Sequence, residues 1–393
     1  MDQAAPRTLR LGVAGLGRAF SVMLPTFQRD VRVRLIAAAD PRVEARAQFE
    51  RDFGGKAYAS VEDLCADADI DAVYVATPHQ HHAAHAKLAA ARGKHLLIEK
   101  PIALTLADAQ AITQAAHAAG VSVVVGHSHS FDAPILRTRA LIDSGAYGAV
   151  RMISALNYTD FLYRPRRPEE LDTAQGGGAL FNQAPHQVDI VRLLGGGRVT
   201  SLRAQTGAWD RARPTEGAYS ALMTFESGAF AALTYSGYGH FDSDEFQGWI
   251  GEMGQAKPAQ ARPQRPRFAD ATEEAAYKAS RNYGGSNWTP PAPQELAHQH
   301  FGTLIVSCER ADLRPLPNGV VIYDDNGTRL DALPLPAVPR AEVIDELYGA
   351  VVDGRPPLHD GAWATATLEV CLAMLASARD GKEIALAHQV AVP

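Results

Sequence analysis

Gly12-Val13-Ala14-Gly15-Leu16-Gly17-Arg18-Ala19-Phe20 is the stretch on which the fold turns. It closes the apolar run Leu11–Ala14 and opens a segment with helical spacing. Glycines at 15 and 17 suit a tight strand-to-helix turn. They also let the backbone lie close to a pyrophosphate, whose charge the amides of the helix N-terminus would meet. Arg18 and Ala19 follow as the first helical residues of such a cradle. The third glycine of the dinucleotide pattern is replaced by Phe20, so the motif leans on its context. Asp40 ends the next apolar run, 25 residues after Gly15. A carboxylate there can accept hydrogen bonds from both hydroxyls of a ribose, and it would repel a 2′-phosphate. The expectation is NAD, with NADP left possible by Arg42. Asp40 also precedes Pro41 and can cap the helix that starts there, a role compatible with the first.

Outward from this turn, strands and helices alternate. Val33–Ala39, Val73–Ala76, His95–Ile98 and Val121–Gly126 are almost wholly apolar runs, as expected of parallel strands buried on both faces, and Lys56–Tyr58 is a weaker one. Pro41–Phe53 has helical spacing with a proline at its start. Ser60-Val61-Glu62-Asp63 and Thr105-Leu106-Ala107-Asp108 carry N-terminal capping patterns. The alternation predicts an α/β Rossmann domain, a doubly wound parallel sheet, over residues 1–130.

The pattern then changes. Asp132–Ser144 reads as a helix, followed by strands at Val150–Asn157, Val199–Trp209, Ala218–Glu226 and Ala229–Gly237, the last two joined at Ser227-Gly228. Strands resume near Leu304–Ser307 and Val320–Tyr323, and helices close the chain at Arg340–Asp353 and Gly361–Asp380. Residues 131–393 are therefore expected to form an α+β domain with a large, mostly antiparallel open sheet. Within it, 255–293 holds six prolines (Pro258, Pro263, Pro266, Pro290, Pro291, Pro293) and reads as an insertion or long surface loop.

Composition narrows the function classes. Among 393 residues, Lys+Arg number 38 and Asp+Glu 44, a net charge of −6, which argues against a general nucleic-acid binder. Cys65, Cys308 and Cys371 are far apart, so neither a disulfide framework nor a structural zinc site is expected. The first residues lack the apolar core of a signal peptide. No apolar run is read as reaching the roughly 20 residues that span a bilayer. The expectation is a soluble cytoplasmic protein without a membrane partner.

Three further segments carry chemistry. They are Ala76-Thr77-Pro78-His79-Gln80-His81-His82, then Gly93-Lys94-His95-Leu96-Leu97-Ile98-Glu99-Lys100-Pro101, then Gly176-Gly177-Gly178-Ala179-Leu180-Phe181-Asn182-Gln183-Ala184-Pro185-His186-Gln187-Val188-Asp189. With the glycine turn, their order and spacing resemble the Gfo/Idh/MocA oxidoreductases over nearly the whole chain. The resemblance implies an NAD- or NADP-binding Rossmann domain and a C-terminal α+β domain through whose sheet members associate, as a homodimer or homotetramer. It implies oxidation or reduction of a carbinol, often in a sugar, cyclitol or related ring. It maps Lys100 and His186 onto the catalytic lysine and histidine. Thr77, Pro78 and His82 fall on the cofactor-side loop and Glu99 on the acidic residue beside it.

The chemistry asks for such groups. Alcohol oxidation sends a hydride to the nicotinamide and leaves a proton that a base must take from oxygen. A partly desolvated lysine near a positive ring loses its proton more readily, and an imidazole does the same work near neutral pH. Where the family commonly has an aspartate four residues before the histidine, this chain has Asn182, which cannot act as a base. On one helix, positions four apart share a face, so Asn182 is still expected to touch substrate or His186, while Pro185 can alter that helix. The histidine run 79–82 is not expected to hold a metal. His127 and His129, after the last Rossmann strand, can reach the crevice for substrate contact or serve in structural hydrogen bonds, and His127 and Asp189 are taken as substrate-side residues.

Residues 157–172 place Arg164, Arg166 and Arg167 in one loop before the glycine run. Guanidinium forks bind carboxylates bidentately, which suits an anionic small-molecule substrate. Pairing with Glu169 and Glu170 is the alternative. This loop and residues 235–245 are similar to a subgroup associated with phthalate catabolism, whose members are taken as dehydrogenases of 4,5-dihydro-4,5-dihydroxyphthalate. The expected activity is NAD(P)-dependent oxidation of a carboxylated cis-dihydrodiol, at a CH–OH or CH–CH donor. A sugar, inositol or polyol dehydrogenase is the enzymatic alternative. A catalytically inactive NAD(P)-binding regulator, kept open by Asn182, is the alternative of another class.

Overall fold

Strands β1 (Leu9–Ala14), β2 (Val33–Ala39), β3 (Lys56–Tyr58), β4 (Ala72–Val75), β5 (His95–Ile98) and β6 (Val123–Val125) form a parallel sheet in the order β3-β2-β1-β4-β5-β6. Helices α1 (Arg18–Arg29), α2 (Val43–Phe53), α3 (Val61–Ala66), α4 (His82–Ala91) and α5 (Leu106–Ala119) alternate with them. The continuous apolar runs are explained by burial on both faces: every residue of β4 and β6 is buried. The two capping patterns act as read, with the hydroxyls of Ser60 and Thr105 accepting from the amides of Asp63 and Asp108.

The computed structural model describes residues 7–259, 265–290 and 295–392 and divides them into two units. The six-stranded sheet belongs to the first, which runs to His127 and also takes in 275–290 and Val338–Thr365. The second unit holds a nine-stranded sheet in the order β14-β13-β12-β11-β7-β10-β9-β8-β15. Its strands are β7 (Val150–Tyr158), β8 (Val199–Gly207), β9 (Ala218–Phe225), β10 (Phe230–Ser236), β11 (Thr303–Cys308), β12 (Ala311–Leu316), β13 (Gly319–Asp324), β14 (Gly327–Ala332) and β15 (Ile384–Ala385). The pairing is antiparallel except between β7 and β10. Helices α6 (Ala133–Asp143), α7 (Gly178–Asn182) and α8 (Ala184–Gly195) complete this part, and α8 is buried along its whole length. The mostly antiparallel open sheet is therefore as expected. Strand β12 escapes the sequence pattern because Pro315 interrupts it, and β14 because none of its residues is buried.

Late segments depart further from expectation. The proline-rich stretch contains a helix, α9 (Ala271–Ser280), in its described part; Pro263, Pro291 and Pro293 lie outside the described residues. Its 275–290 portion packs on the first unit. Tyr283 is fully buried, sets its ring edge against Phe20 at 5.0 Å and donates from its hydroxyl to Asp52 at 2.6 Å. Helix α10 (Ala341–Val351) also joins the first unit, where the Thr26 hydroxyl donates to the Pro339 carbonyl at 2.6 Å and the Val125 amide to His359 at 2.8 Å. Helix α11 (Gly361–Asp380), at 20 residues and a mean hydropathy of 1.3, is long and apolar enough to cross a membrane. That corrects the reading of no such run. Two-thirds of its apolar window is buried within the fold, which is the condition of a core helix.

Candidate active site

In the first unit the proposed cofactor residues converge where β1 meets α1. Gly15 has a φ of +96°, and a Cβ there would lie 2.8 Å from the Ala76 carbonyl oxygen, so a side chain is excluded on both counts. Gly17 caps α1, has open space where a Cβ would stand, and is followed by exposed Arg18 and half-buried Ala19. The first turn of α1 carries no acidic residue. Open space in front of a helix N-terminus, with a backbone that admits close approach, fits the pyrophosphate of a dinucleotide.

Asp40 is buried, and both of its oxygens are engaged. One accepts from the Leu16 amide at 2.8 Å and from Arg42 Nη2 at 3.0 Å. The other accepts from the Arg42 amide and from Arg42 Nε, both at 2.9 Å. Arg42 is in turn held by the carbonyls of Leu16 and Tyr283. A ribose would thus compete with Arg42 for Asp40, a contest the sequence does not reveal because Tyr283 lies 241 residues downstream.

The cofactor-side loop is organised by His82. Its ring nitrogens face the carbonyls of Thr77 at 2.8 Å and Pro101 at 2.9 Å. Burial drives its pKa down to about 4 against the pull of the two carbonyls, and the ring sits between the turn at Thr77 and Pro78 and the segment after Lys100, a neutral ring donating to one carbonyl only. Thr77 also hydrogen-bonds His85 at 3.0 Å. Glu99 accepts a hydrogen bond from the buried Tyr74 hydroxyl. Burial raises the Glu99 pKa, while the Tyr74 donor and the charges of Lys100 and Arg340 oppose the rise. Lys100 is half-buried at the end of this strand. His127 is buried just past β6.

In the second unit the expected shared helix face of Asn182 and His186 does not exist. Helix α7 ends at Asn182 and α8 begins at Ala184, with Pro185 in its first turn. Proline has no N–H to continue the ladder, so the helix restarts. Asn182 turns its amide back to the carbonyls of Gly176 at 3.1 Å and Gly178 at 2.8 Å, holding the glycine turn. His186 sits buried in the first turn of α8, its ring 4.8 Å from that of His129 and 5.1 Å from Phe301. Tyr235 stacks on Phe301 at 6.1 Å and donates to Gln183 at 3.2 Å. Asp189 is buried on α8; one carboxylate oxygen accepts from Ser130 and Ser128, the other from Thr367 at 3.0 Å.

The arginine loop is internally answered. Arg167 pairs with Glu169 at 3.1 Å and Glu170 at 3.4 Å, the alternative seen in the sequence. Arg164 pairs with Asp160 at 2.8 Å and reaches Glu252 at 3.7 Å. Arg166 is buried, its guanidinium 3.8 Å over the Phe161 ring and 3.9 Å from Glu170, and its Nε has no hydrogen-bond partner among the described residues. Burial lowers its pKa to about 10. Glu252, Phe301 and His129 complete this cluster. Sequence reading had no signal for the first two, which come from loops with no motif.

Comparison with known proteins shows the family. Residues 9–127 match the model described as "Oxidoreductase family, NAD-binding Rossmann fold", and residues 135–257 match the GFO/IDH/MocA C-terminal domain. The chain belongs to the Gfo/Idh/MocA oxidoreductase family and is an NAD-binding oxidoreductase. It is 48% identical to the 1-carboxy-3-chloro-3,4-dihydroxycyclohexa-1,5-diene dehydrogenase of Comamonas testosteroni, over 93% of this chain and 94% of that one. It is 28% identical to the inositol 2-dehydrogenase of Rhizobium meliloti over 58% of this chain and 69% of that one. A solved structure from Bordetella bronchiseptica RB50 matches with a TM-score of 0.88 at 40% identity, covering 96% of this chain and all of that one.

Proposed function

We propose that this protein is an NAD-dependent dehydrogenase of a carboxylated cyclohexadiene cis-diol, with 4,5-dihydro-4,5-dihydroxyphthalate as the specific substrate, acting in the cytoplasm. The observation that carries the reading is the 48% identity, over nearly the full length of both chains, to a dehydrogenase named for a carboxylated dihydroxycyclohexadiene. The second unit supports an anionic ring. Arg166 is buried with an unmatched Nε, its other contacts being the Phe161 carbonyl and a carboxylate 3.9 Å away, Arg164 is two-fifths exposed, and Phe301 and Tyr235 form an aromatic stack beside His186. Two arginines answer the two adjacent carboxylates of the phthalate diol. Arg167, already paired twice, has no part in this reading.

NAD, when bound, accepts the hydride from the carbinol carbon. Gly15, Gly17, Arg18 and Ala19 would hold its pyrophosphate, Asp40 its ribose, and Thr77 and Pro78, positioned by His82, its nicotinamide side. Lys100 and His186 are the proton-handling groups for the substrate hydroxyl. Glu99, fixed by Tyr74, supports Lys100. Asn182 and Asp189 act by position, the one on the glycine turn and the other on the loop at Ser128. Oxidation of one carbinol leaves a ketone that tautomerises to a catechol, and the aromatic ring makes the reaction run forward.

An absorbance screen at 340 nm with NAD and NADP tests this, using the phthalate cis-dihydrodiol, a monocarboxylated cyclohexadiene diol, inositols and aldoses. Carboxylated diols should be turned over at least ~100-fold more efficiently than the rest, the worth of about two charge-assisted contacts. An inositol as the best substrate would establish the polyol reading that the inositol 2-dehydrogenase relative favours. NAD binding without any turnover would mark a regulator. Lys100→Ala should depress kcat and leave NAD affinity intact.

We also propose self-association as a homodimer or homotetramer through the outer face of the nine-stranded sheet. Leu222, Phe230, Met152, Ile305, Tyr323 and Leu330 share that face by register, and each is more than one-third exposed. A second copy of the same sheet is the occupant that an apolar face of this extent fits.

A further inference from the structure

His129 stands apart from the other histidines of the second unit. It is 1% exposed, and both of its ring nitrogens face carboxylates. Nδ1 lies 2.7 Å from Asp132 and Nε2 lies 3.5 Å from Glu252. A neutral imidazole carries one N–H, so only the doubly protonated ring satisfies both acids. Burial opposes that charge, but the two carboxylates outweigh it and raise the His129 pKa. The same pairing, with Arg164, pulls Glu252 below the usual carboxylate range against its own burial. Two acids thus flank one imidazolium.

The neighbouring His300 shows the contrast. Its Nδ1 accepts from the Gly302 amide at 3.1 Å and its Nε2 donates to the Ile250 carbonyl at 2.9 Å, the pattern of a neutral ring. Its nearest acid, Asp244, is 3.7 Å away and is itself bound by Lys257 at 2.7 Å. His129 therefore carries the cationic ring, and its ring edge meets His186 at a centroid distance of 4.8 Å and an angle of 64°. The groups that face His129 include His127 two residues before it, Asp132 on its own turn, Glu252 with Arg164 behind it, His300, His186 and the Phe301 ring.

We propose that His129 is a positioning residue, an imidazolium fixed between Asp132 and Glu252 that holds the adjacent His186 in its neutral, proton-accepting form. Two cationic rings this close repel strongly in a water-poor setting. Asp132 and Glu252 stabilise the proton on His129. His186 is left neutral when substrate arrives, and it does not need an elevated pH to accept a proton. The inference rests on the reading of His186 as a proton-handling group, yet the charge on His129 can be measured without it.

Histidine-labelled NMR of the full chain, titrated from pH 5 to 9, reads both rings directly. His129 should still be doubly protonated at pH 7, above the ordinary imidazole midpoint. In His129→Asn the titration midpoint of His186 should rise by about one pH unit, and His129→Lys, which restores a cation, should bring it back. The acid limb of kcat/KM for the phthalate cis-dihydrodiol should move with it. A His129 that loses its proton below pH 7, or a His186 midpoint unchanged in His129→Asn, overturns the proposal. So does a His186→Asn enzyme with the wild-type acid limb, which would remove His186 from proton transfer altogether. If the diol is not turned over at all, the functional reading fails and the NMR arms still decide the charge pairing.

Discussion

Asp40 shows how much one side chain can hide. Its position after the second strand reads as a ribose acceptor, and in the fold its four accepted hydrogen bonds are already taken by Leu16 and Arg42. On the proposed role of Asp40 the ribose of NAD competes with Arg42, while a 2′-phosphate would gain from that arginine. Arg42→Ala should therefore lower KM for NAD and widen the preference over NADP by about tenfold, on the order of one charge-assisted hydrogen bond. Steady-state kinetics with both cofactors checks this, and a loss of NAD efficiency in the variant would place Arg42 among the NAD ligands instead. Glu252 offers a prediction in pH. Its folded pKa is depressed, so the stability it contributes is complete above its unfolded value of about 4.3 and is lost as pH falls below that. Glu252→Gln should flatten the fall in urea midpoint between about pH 5 and pH 3, relative to the wild type.

At the scale of elements, turns do the positioning. Gly15 combines a left-handed φ with a carbonyl 2.8 Å from where a Cβ would stand. Gly15→Ala should cost about 1–2 kcal/mol from the backbone alone and weaken NAD binding at least tenfold in a calorimetric titration. Gly17, with nothing near a Cβ, should lose cofactor affinity on substitution while keeping its melting temperature. The break between α7 and α8 is the other decisive turn. Pro185 is plain in the sequence, and its effect on a helix follows from chemistry alone. What could not be read was that Asn182 would close the glycine turn through Gly176 and Gly178. Hydrogen bonds from a side chain to a backbone depend on where the loop travels, and residue spacing does not encode that path.

At the scale of the molecule, one face of the nine-stranded sheet exposes Leu222, Phe230, Met152, Ile305, Tyr323 and Leu330. Leu222→Glu combined with Ile305→Glu should shift the protein to a smaller species in sedimentation velocity, with the far-ultraviolet spectrum unchanged. Wild-type sedimentation as a monomer would remove the proposed association. The sequence switches from alternating helix–strand segments to successive strands near residue 130, and the opening segment of the first unit runs to His127. The return of 275–290 and of Val338–Thr365 to the first unit was not legible there. That return depends on contacts such as Tyr283 with Phe20 and Thr26 with Pro339, which join residues hundreds of positions apart.

The sequence by itself determined what local rules control. Apolar runs buried on both faces specify parallel strands, capping patterns set helix starts, glycines mark the cofactor turn, and the order of the motifs marks the family. Tertiary structure alone decided which charges meet. Arg164 reaches Glu252, Arg42 is held on the Tyr283 carbonyl, and His129 is shared by Asp132 and Glu252 beside His186. The physical reason is range. Backbone conformation is governed by neighbours within a few residues, whereas the charge state of a buried group depends on every partner within several ångströms, whatever its place in the chain.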